Sequence, residues 1–157
     1  MHNKHNIMEI VQLNSNAKLS EHFTLGEFTK SNSHPEVYNI PSHEAIANMK
    51  RVCEWLEVLR ERYGAPIIIN SGYRSPQLNK AIHGVAGSNH MTGCAADIRV
   101  SGMEQLIRYA AILLDYADES KQDFDEMLVE RNSHGAIWLH FALRPKDNRR
   151  KVAFINA

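Results

Sequence analysis

The sequence predicts one α+β domain, with two long helices packed on a small and mainly antiparallel sheet. Two segments repeat apolar residues every three or four positions, which is typical of amphipathic helices. Several shorter apolar segments, separated by polar turns, have the length and alternation of strands. At 157 residues, the chain suits a single domain with one sizeable core.

The first part of the chain is expected to lie outside that domain. Residues 1–18 are polar and are expected to form a flexible N-terminal arm, so that the domain itself covers 19–157. Just after this boundary lie three large apolar residues, Phe23, Leu25 and Phe28. They predict a short strand or turn that packs on the rest of the domain.

The clearest helix lies between Ser42 and Gly64. Ser42 is a favourable N-cap, and Gly64 is a favourable residue to end the helix. The apolar positions between them follow the helical period, at Ile46, Met49, Cys53, Leu56 and Leu59. A short buried strand is expected at 66–70, and Pro76 opens a short helix because proline is favourable in a first helical turn.

The second half of the chain combines strands with one more long helix. A strand is expected at 95–100, and the second long helix at 103–117. Two further strands, 126–131 and 136–143, are joined by the polar connection NSHG. A last strand is expected at 151–156, after a polar turn.

The composition excludes several classes of function. Eighteen basic and eighteen acidic side chains give a formal net charge of zero, so no general attraction to nucleic acid or to an anionic membrane is expected. No stretch is apolar for long enough to span a bilayer, and the polar N-terminus lacks a signal-peptide pattern. The two cysteines, Cys53 and Cys94, fit neither a disulfide framework nor a cysteine-based zinc site.

The segment GSNHMTGCAADIRV (87–100) is unusual because small residues surround a histidine and an aspartate. Side chains alternate across a strand, so Ala96, Ile98 and Val100 share the face that suits a core. Asp97 lies on the opposite face. Small side chains at these positions indicate that another group must approach the backbone closely.

The later strand, 136–143, has the same division into two faces. Its continuous apolar face consists of Ile137, Leu139, Phe141 and Leu143. His140 lies on the other face. If the two strands are neighbours, Asp97 and His140 converge, and Gly93 can turn the chain so that His90 meets them.

Two imidazoles and one carboxylate form a set of ligands that zinc accepts, and catalytic zinc keeps a fourth position for water. The sequence therefore suggests a zinc site made of His90, Asp97 and His140, with the small residues before Asp97 making room around the ion. From the residues alone, another interpretation stays open. A histidine in a strand often packs with one hydrogen bond, and an aspartate can simply pair with an arginine.

Four segments resemble the zinc D-alanyl-D-alanine carboxypeptidase family, the LAS-type peptidases that cut peptidoglycan peptides. SNHMTGCAAD (88–97) matches the signature S-x-H-x-x-G-x-A-x-D, and WLH (138–140) is similar to the second signature, W-x-H. INSGYRSPQLN (69–79) resembles the segment upstream of the first signature. LSEHFTLGEFTKS (19–31) resembles the N-terminal stretch of phage and bacterial members.

The resemblance implies a zinc peptidase of the LAS-type fold in which individual residues have defined roles. Zinc would be bound by His90, Asp97 and His140, would lower the pKa of its water and would polarise the scissile carbonyl. Arg74 would hold a substrate carboxylate or the developing oxyanion, for which a guanidinium fork is well shaped. Ser88 would hydrogen-bond the substrate or a ligand, although a loop serine that caps the backbone is a comparable alternative.

One position departs from the family pattern. Several members carry an acidic general base three residues before the last histidine ligand, where this chain has Ile137. Glu130 is the replacement that we expect, because a short connection joins its strand to the strand of His140. His134, within that connection, is the second candidate. The departure also keeps open a catalytically weak or inactive zinc-containing module, which would bind the cell wall or serve as a structural phage component.

The expected function is hydrolysis of peptidoglycan peptides, either as a D-Ala-D-Ala carboxypeptidase or as a cross-link endopeptidase, and a phage or prophage lysis enzyme fits this activity. Without a signal-peptide pattern, we expect synthesis in the cytoplasm and action at the cell wall after release. We expect a monomer whose partner is the peptidoglycan peptide, with neither a nucleic acid nor a membrane partner.

Overall fold

The structure, a computed structural model, describes residues 14–31 and 33–157. The helices in these ranges are α1 (Leu25–Thr29), α2 (His43–Tyr63), α3 (Pro76–Ala81) and α4 (Met103–Ser120), with a 3₁₀ turn at Asn89–Thr92. The strands are β1 (Ile69–Ser71), β2 (Ala95–Arg99), β3 (Glu126–Arg131), β4 (Ile137–Ala142) and β5 (Lys151–Asn156). Two long helices and one sheet confirm the predicted α+β class.

The five strands form one sheet in the order β1-β2-β4-β3-β5. The pairs β1·β2, β2·β4 and β3·β4 are antiparallel, whereas the edge strand β5 runs parallel to β3. The sheet is therefore mainly antiparallel, as its sequence predicts. The register of the central pair β2·β4 places Asp97 directly opposite His140, so the strands carrying these residues are indeed neighbours.

Helix α2 has the boundaries that its sequence predicts. The Ser42 hydroxyl accepts a hydrogen bond from the Ala45 backbone N–H. At the other end, Gly64 takes the left-handed conformation, with a φ of 84°, that commonly ends a helix. The buried side of α2 packs with α4 over one face of the sheet.

The core lies between these helices and the sheet face that strand alternation predicts. The fully buried sheet residues of this core include Ala96 and Ile98 of β2, Leu139 and Phe141 of β4, Ile69 of β1 and Met127 of β3. Trp55 of α2 packs on Phe141, with ring centroids 5.5 Å apart. Because the helices cover this face, the polar side chains of the central strands are grouped on the opposite face.

The region 19–33 differs from the short strand or turn that its apolar anchors predict. Lys18 and Thr24 form one isolated bridge, and the short helix α1 follows. The helix begins there because Thr24 and Glu27 form a capping box, in which each side chain accepts a hydrogen bond from the backbone N–H of the other residue. Helix α4 also extends beyond its predicted end, to Ser120.

Residues 14–18, the described end of the predicted N-terminal arm, are hydrogen-bonded to α1. The Ala17 carbonyl accepts from the Leu25 N–H at 2.8 Å, and the Ser15 carbonyl accepts from the Gly26 N–H at 3.0 Å. This segment therefore packs with the domain, whereas the rest of the predicted arm lies outside the described residues. Within the described ranges, no helix has the length and apolar character needed to cross a membrane.

Candidate metal centre and active site

Three side chains that the sequence singled out converge on the sheet face opposite the core. Asp97 projects from the middle of β2, and His140 projects from the paired position on β4. His90 comes from the 3₁₀ turn that precedes β2. All three are buried, and one ligand atom from each lies within 4.8 Å of the others.

The spacing of these atoms suits a tetrahedral zinc ion. His90 Nε2 lies 3.2 Å from Asp97 Oδ1, and His140 Nδ1 lies 3.0 Å from the same oxygen. Ligand atoms that are each about 2.0–2.1 Å from a tetrahedral zinc ion stand roughly 3.3 Å from one another. Both distances to the carboxylate oxygen are therefore close to that spacing, and two imidazole nitrogens with a carboxylate oxygen are donor types that zinc accepts.

The remaining ring nitrogens already have acceptors. His90 Nδ1 lies 2.6 Å from the Gly72 carbonyl oxygen, and His140 Nε2 lies 2.9 Å from Glu126 Oε1. Histidines that bind metals almost always donate their second N–H in this way, which fixes the tautomer and the orientation of the ring. Glu126 was not among the residues predicted for the site, although strand alternation places it on the same face as Glu130.

Gly93, one of the small residues of the first motif, allows a close approach of the chain to a helix. Gly93 has a φ of 77°, and a Cβ built on it would lie 2.3 Å from the Ala45 carbonyl oxygen near the start of α2. Asn48 of the same helix donates a hydrogen bond to the Thr92 carbonyl at 2.8 Å. The turn that carries His90 is therefore packed directly against α2, and contact with that helix accounts for the glycine.

The charges around the cluster hold a proton on His140 when no metal is bound. Burial alone would lower the pKa of His140, but its hydrogen bonds to Asp97 and Glu126 outweigh burial and raise that pKa to about 10. Burial alone would raise the pKa of Asp97, whereas His90 and His140 hold it well below its usual range. A metal ion bound here must displace the proton from His140, so metal binding is coupled to pH.

Glu130 lies beside this cluster, at the position on β3 opposite Trp138 of β4. Glu130 Oε2 is 3.9 Å from His140 Nδ1, and Glu130 Oε1 accepts a hydrogen bond from the Trp138 indole N–H at 2.8 Å. Burial, reinforced by the charge of Asp97, raises the pKa of Glu130 above its ordinary value. A carboxyl group in an environment that suits a general base is thus adjacent to the candidate ligands.

Two other positions, Ile137 and His134, lie apart from the candidate ligands. Ile137 stands where family members carry the general base, and His134 is the second candidate for that role. Ile137 packs against the hydrophobic core, as predicted for the apolar face of its strand. His134 is exposed in the turn between β3 and β4, where its backbone N–H donates to the side-chain oxygen of Asn132 at 3.0 Å. Within the described residues, no hydrogen bond joins His134 to the three candidate ligands, and the structure does not bring it to them.

Arg74 lies at the edge of the cluster, in the loop between β1 and α3. Its backbone N–H donates to the His90 carbonyl at 3.0 Å, and its Nη2 donates to the Ser88 hydroxyl at 3.2 Å. Its Nε is buried without a hydrogen-bond partner among the described residues. Burial lowers the pKa of the guanidinium, an effect that Asp97 and Glu130 partly offset. A buried donor without a partner at this position is suited to an anionic group of a ligand.

Ser88 links Arg74 to the turn that carries His90. Its hydroxyl accepts hydrogen bonds from the His90 N–H at 3.1 Å and from Arg74 Nη2 at 3.2 Å. The backbone cap that the sequence left open as an alternative is therefore present. The second bond adds a contact through which Ser88 orients the guanidinium.

Comparisons with known proteins agree with the motifs. The model of the family described as Peptidase M15 matches residues 21–129, which is well over half of the chain. A curated relative from Streptomyces albus G, named zinc D-Ala-D-Ala carboxypeptidase, is 32% identical over 91 residues, which make up 57% of this chain and 36% of the relative. The chain therefore covers little more than a third of that relative's length. The suspected resemblance is confirmed, and the protein belongs to the peptidase M15 family.

Proposed function

We propose that this protein is a zinc-dependent peptidase that hydrolyses peptides of peptidoglycan, with His90, Asp97 and His140 as its zinc ligands. One observation carries the proposal. The ligand atoms of these residues face one another, while the outer nitrogens of both histidines are bonded to acceptors. Membership of the peptidase M15 family, and the name of the matched relative, support both the metal and the class of substrate.

Glu130 is the proposed general base. When bound, zinc supplies Lewis acidity and lowers the pKa of water at the site. Glu130 accepts a proton from the attacking water, since its pKa is raised and its carboxylate lies against the cluster. The same group then donates that proton to the leaving amine. Because the Trp138 indole holds Oε1, the other oxygen of Glu130 remains available for the proton.

Arg74 is the proposed anion-binding group. Ser88 holds its Nη2. Its Nε, which has no hydrogen-bond partner among the described residues, offers a further donor to a substrate carboxylate or to the oxyanion that develops during hydrolysis. Two cleavage specificities remain as alternatives. A D-Ala-D-Ala carboxypeptidase would present a terminal carboxylate to Arg74, whereas a cross-link endopeptidase would use Arg74 for the oxyanion.

We further propose that the protein works as a monomer, since one copy of the chain supplies all three candidate zinc ligands and the proposed site needs no residue from a second copy. Peptidoglycan lies outside the cytoplasmic membrane, so the proposed site of action is the cell wall. A phage or prophage lysis enzyme is one setting that fits this site of action.

The test of the proposed function compares Glu130→Gln with the wild type on purified sacculi and on synthetic stem peptides. Mass spectrometry of the released products identifies the bond that is cut. Since Glu130→Gln keeps the shape and removes the base, we expect zinc content and fold to be retained and turnover to fall by roughly a hundredfold or more. Glu104→Gln, the same change on an exposed carboxylate of α4, is the matched control and should keep full activity.

His134→Ala, measured in the same assay, separates the two candidate bases. We expect it to retain most of the activity, because the side chain is exposed in a turn. A dead His134→Ala variant beside a fully active Glu130→Gln would reverse the assignment. A wild type that binds zinc but releases no product would favour the catalytically inactive zinc module.

A further inference from the structure

We propose that Glu126 is a positioning residue for the zinc site, which fixes the ring of His140 with Nδ1 towards the other ligands, and that Arg149 in the segment before β5 holds Glu126 in place. This inference rests on the proposed zinc site. It concerns residues that neither the family signatures nor the candidate catalytic set includes.

The position of Glu126 follows from the register of the sheet. Glu126 is opposite Ala142 on the β3·β4 pair, and Leu128, two residues further along β3, is opposite His140. Side chains two residues apart share a face, so Glu126 projects on the side of the sheet that carries His140. The Glu126 side chain is only 16% exposed, and its Oε1 lies 2.9 Å from His140 Nε2.

Three groups hold the Glu126 carboxylate. Oε1 accepts from His140 Nε2 and also from the Asn89 side-chain amide at 2.8 Å. Oε2 lies 3.2 Å from Arg149 Nη2. Since Asn89 immediately precedes His90 in the 3₁₀ turn, one carboxylate connects the two elements that carry the histidines.

Arg149 is itself fixed by a fully buried acid, Asp125. Its Nε and its backbone N–H donate to Asp125 Oδ1 at 3.0 and 3.1 Å, and its Nη2 donates to Oδ2 at 2.8 Å. Arg144 Nε adds a contact with Asp125 Oδ2 at 3.2 Å and donates to the Asn89 side-chain oxygen at 3.0 Å. These arginines lie outside residues 21–129, which match the family model.

The geometry favours a positioning role over a purely structural ion cluster. Arg149 and Asp125 would satisfy each other without Glu126, and Glu126 contributes the bond to the ring nitrogen that faces away from the ligand cluster. A carboxylate that accepts a hydrogen bond from the second ring nitrogen of a histidine ligand fixes the tautomer of that histidine and raises its basicity. Loss of Glu126 should therefore weaken zinc binding, whereas a structural role would lower stability alone.

The experiment measures zinc affinity of the full chain by competition with a chromogenic chelator. We expect Glu126→Gln to bind zinc about 10- to 100-fold more weakly than the wild type, the usual effect of losing such a partner. Glu104→Gln should bind zinc as the wild type does. Arg149→Lys keeps the positive charge but loses the forked geometry of the guanidinium, so we expect this variant to bind zinc severalfold more weakly than the wild type.

A second readout does not depend on affinity. In the zinc-loaded wild type, labelled with ¹⁵N-histidine, the ring proton of His140 should reside on Nε2, with a proton resonance shifted downfield by the carboxylate. Glu126→Gln should move that resonance upfield. If Glu126→Gln fails to fold, two measurements still test the positioning role: the site of the His140 ring proton in the wild type, and the zinc affinity of Arg149→Lys.

The outcomes separate this inference from the proposed function. A wild type that binds no zinc overturns both. A zinc-bound wild type whose His140 proton resides on Nδ1 overturns the positioning role alone, and so does unchanged zinc affinity in a folded Glu126→Gln.

Discussion

Replacing Gly93 by alanine tests whether the turn that carries His90 is packed rigidly against α2. Two costs combine in Gly93→Ala. A φ of 77° is unfavourable for any residue with a Cβ, by about 1–2 kcal/mol. The new Cβ would also lie 2.3 Å from the Ala45 carbonyl oxygen, and a backbone atom cannot move aside cheaply. Forced overpacking of this kind costs about 1–3 kcal/mol.

The two costs together predict a loss of about 2–5 kcal/mol in the free energy of unfolding. For a domain of this size, that loss lowers Tm by roughly 4–20 °C. Because Gly93 lies between His90 and Asp97, the shift that relieves the clash should also displace these candidate ligands and weaken zinc binding. Circular dichroism of the metal-free protein measures Tm, and competition with a chelator measures zinc affinity.

Gly64→Ala is the matched control. Gly64 has a φ of 84°, but no heavy atom of the residues that the structure describes lies within 4 Å of the position that a Cβ would take. Its replacement therefore carries the conformational cost alone. We expect Gly64→Ala to lower stability by about 1–2 kcal/mol and to leave zinc affinity unchanged. If Gly93→Ala melts no lower than Gly64→Ala and binds zinc equally well, the close contact with α2 does not position the ligands.

Two further predictions concern binding at the same site. Arg74→Ala should reduce turnover on peptidoglycan peptides by roughly a hundredfold or more, on the scale of losing one oxyanion donor, with zinc content and Tm nearly unchanged; full activity, or an unfolded variant, would contradict the role. Zinc affinity should fall by about tenfold per pH unit below the pKa of His140, about 10, because zinc must displace that proton, while Asp97 stays ionised. Calorimetry in buffers of different ionisation enthalpy should therefore detect about one proton released from His140 at neutral pH, and an affinity independent of pH would refute the coupling.

The placement of Asp97 and His140 on one face of the sheet could be predicted, because side chains along a strand alternate between the two faces. Alternation along β2 and β4 separates the core residues from Asp97 and His140, and the antiparallel register then places these two side chains opposite each other. The motif around His90 supplied the third member. The residue types and their spacing placed each side chain on the face away from the core, but the pairing of β2 with β4 was only a condition of the prediction. The complete set of three ligands came from the resemblance to the zinc D-alanyl-D-alanine carboxypeptidase family.

The features that the sequence did not predict depend on contacts between distant segments. The Glu126 carboxylate becomes significant only when β3 pairs with β4 and when Asn89 and Arg149 approach it from other parts of the chain. Gly93 indicated a close approach, but not that the partner is the Ala45 carbonyl of α2. Helix α1 differs from the predicted strand or turn for a local reason. Its capping box begins a helix in a segment whose apolar residues fit a strand or turn equally well.

The most direct test of the proposed zinc peptidase measures zinc content and peptide hydrolysis on the same samples. Elemental analysis of the purified protein should find about one zinc per chain, and mass spectrometry should find peptides cleaved from purified sacculi. His140→Ala should lose both the zinc and the hydrolysis. Zinc at full occupancy in His140→Ala, or a zinc-loaded wild type that cleaves no peptide bond in sacculi, would contradict the account.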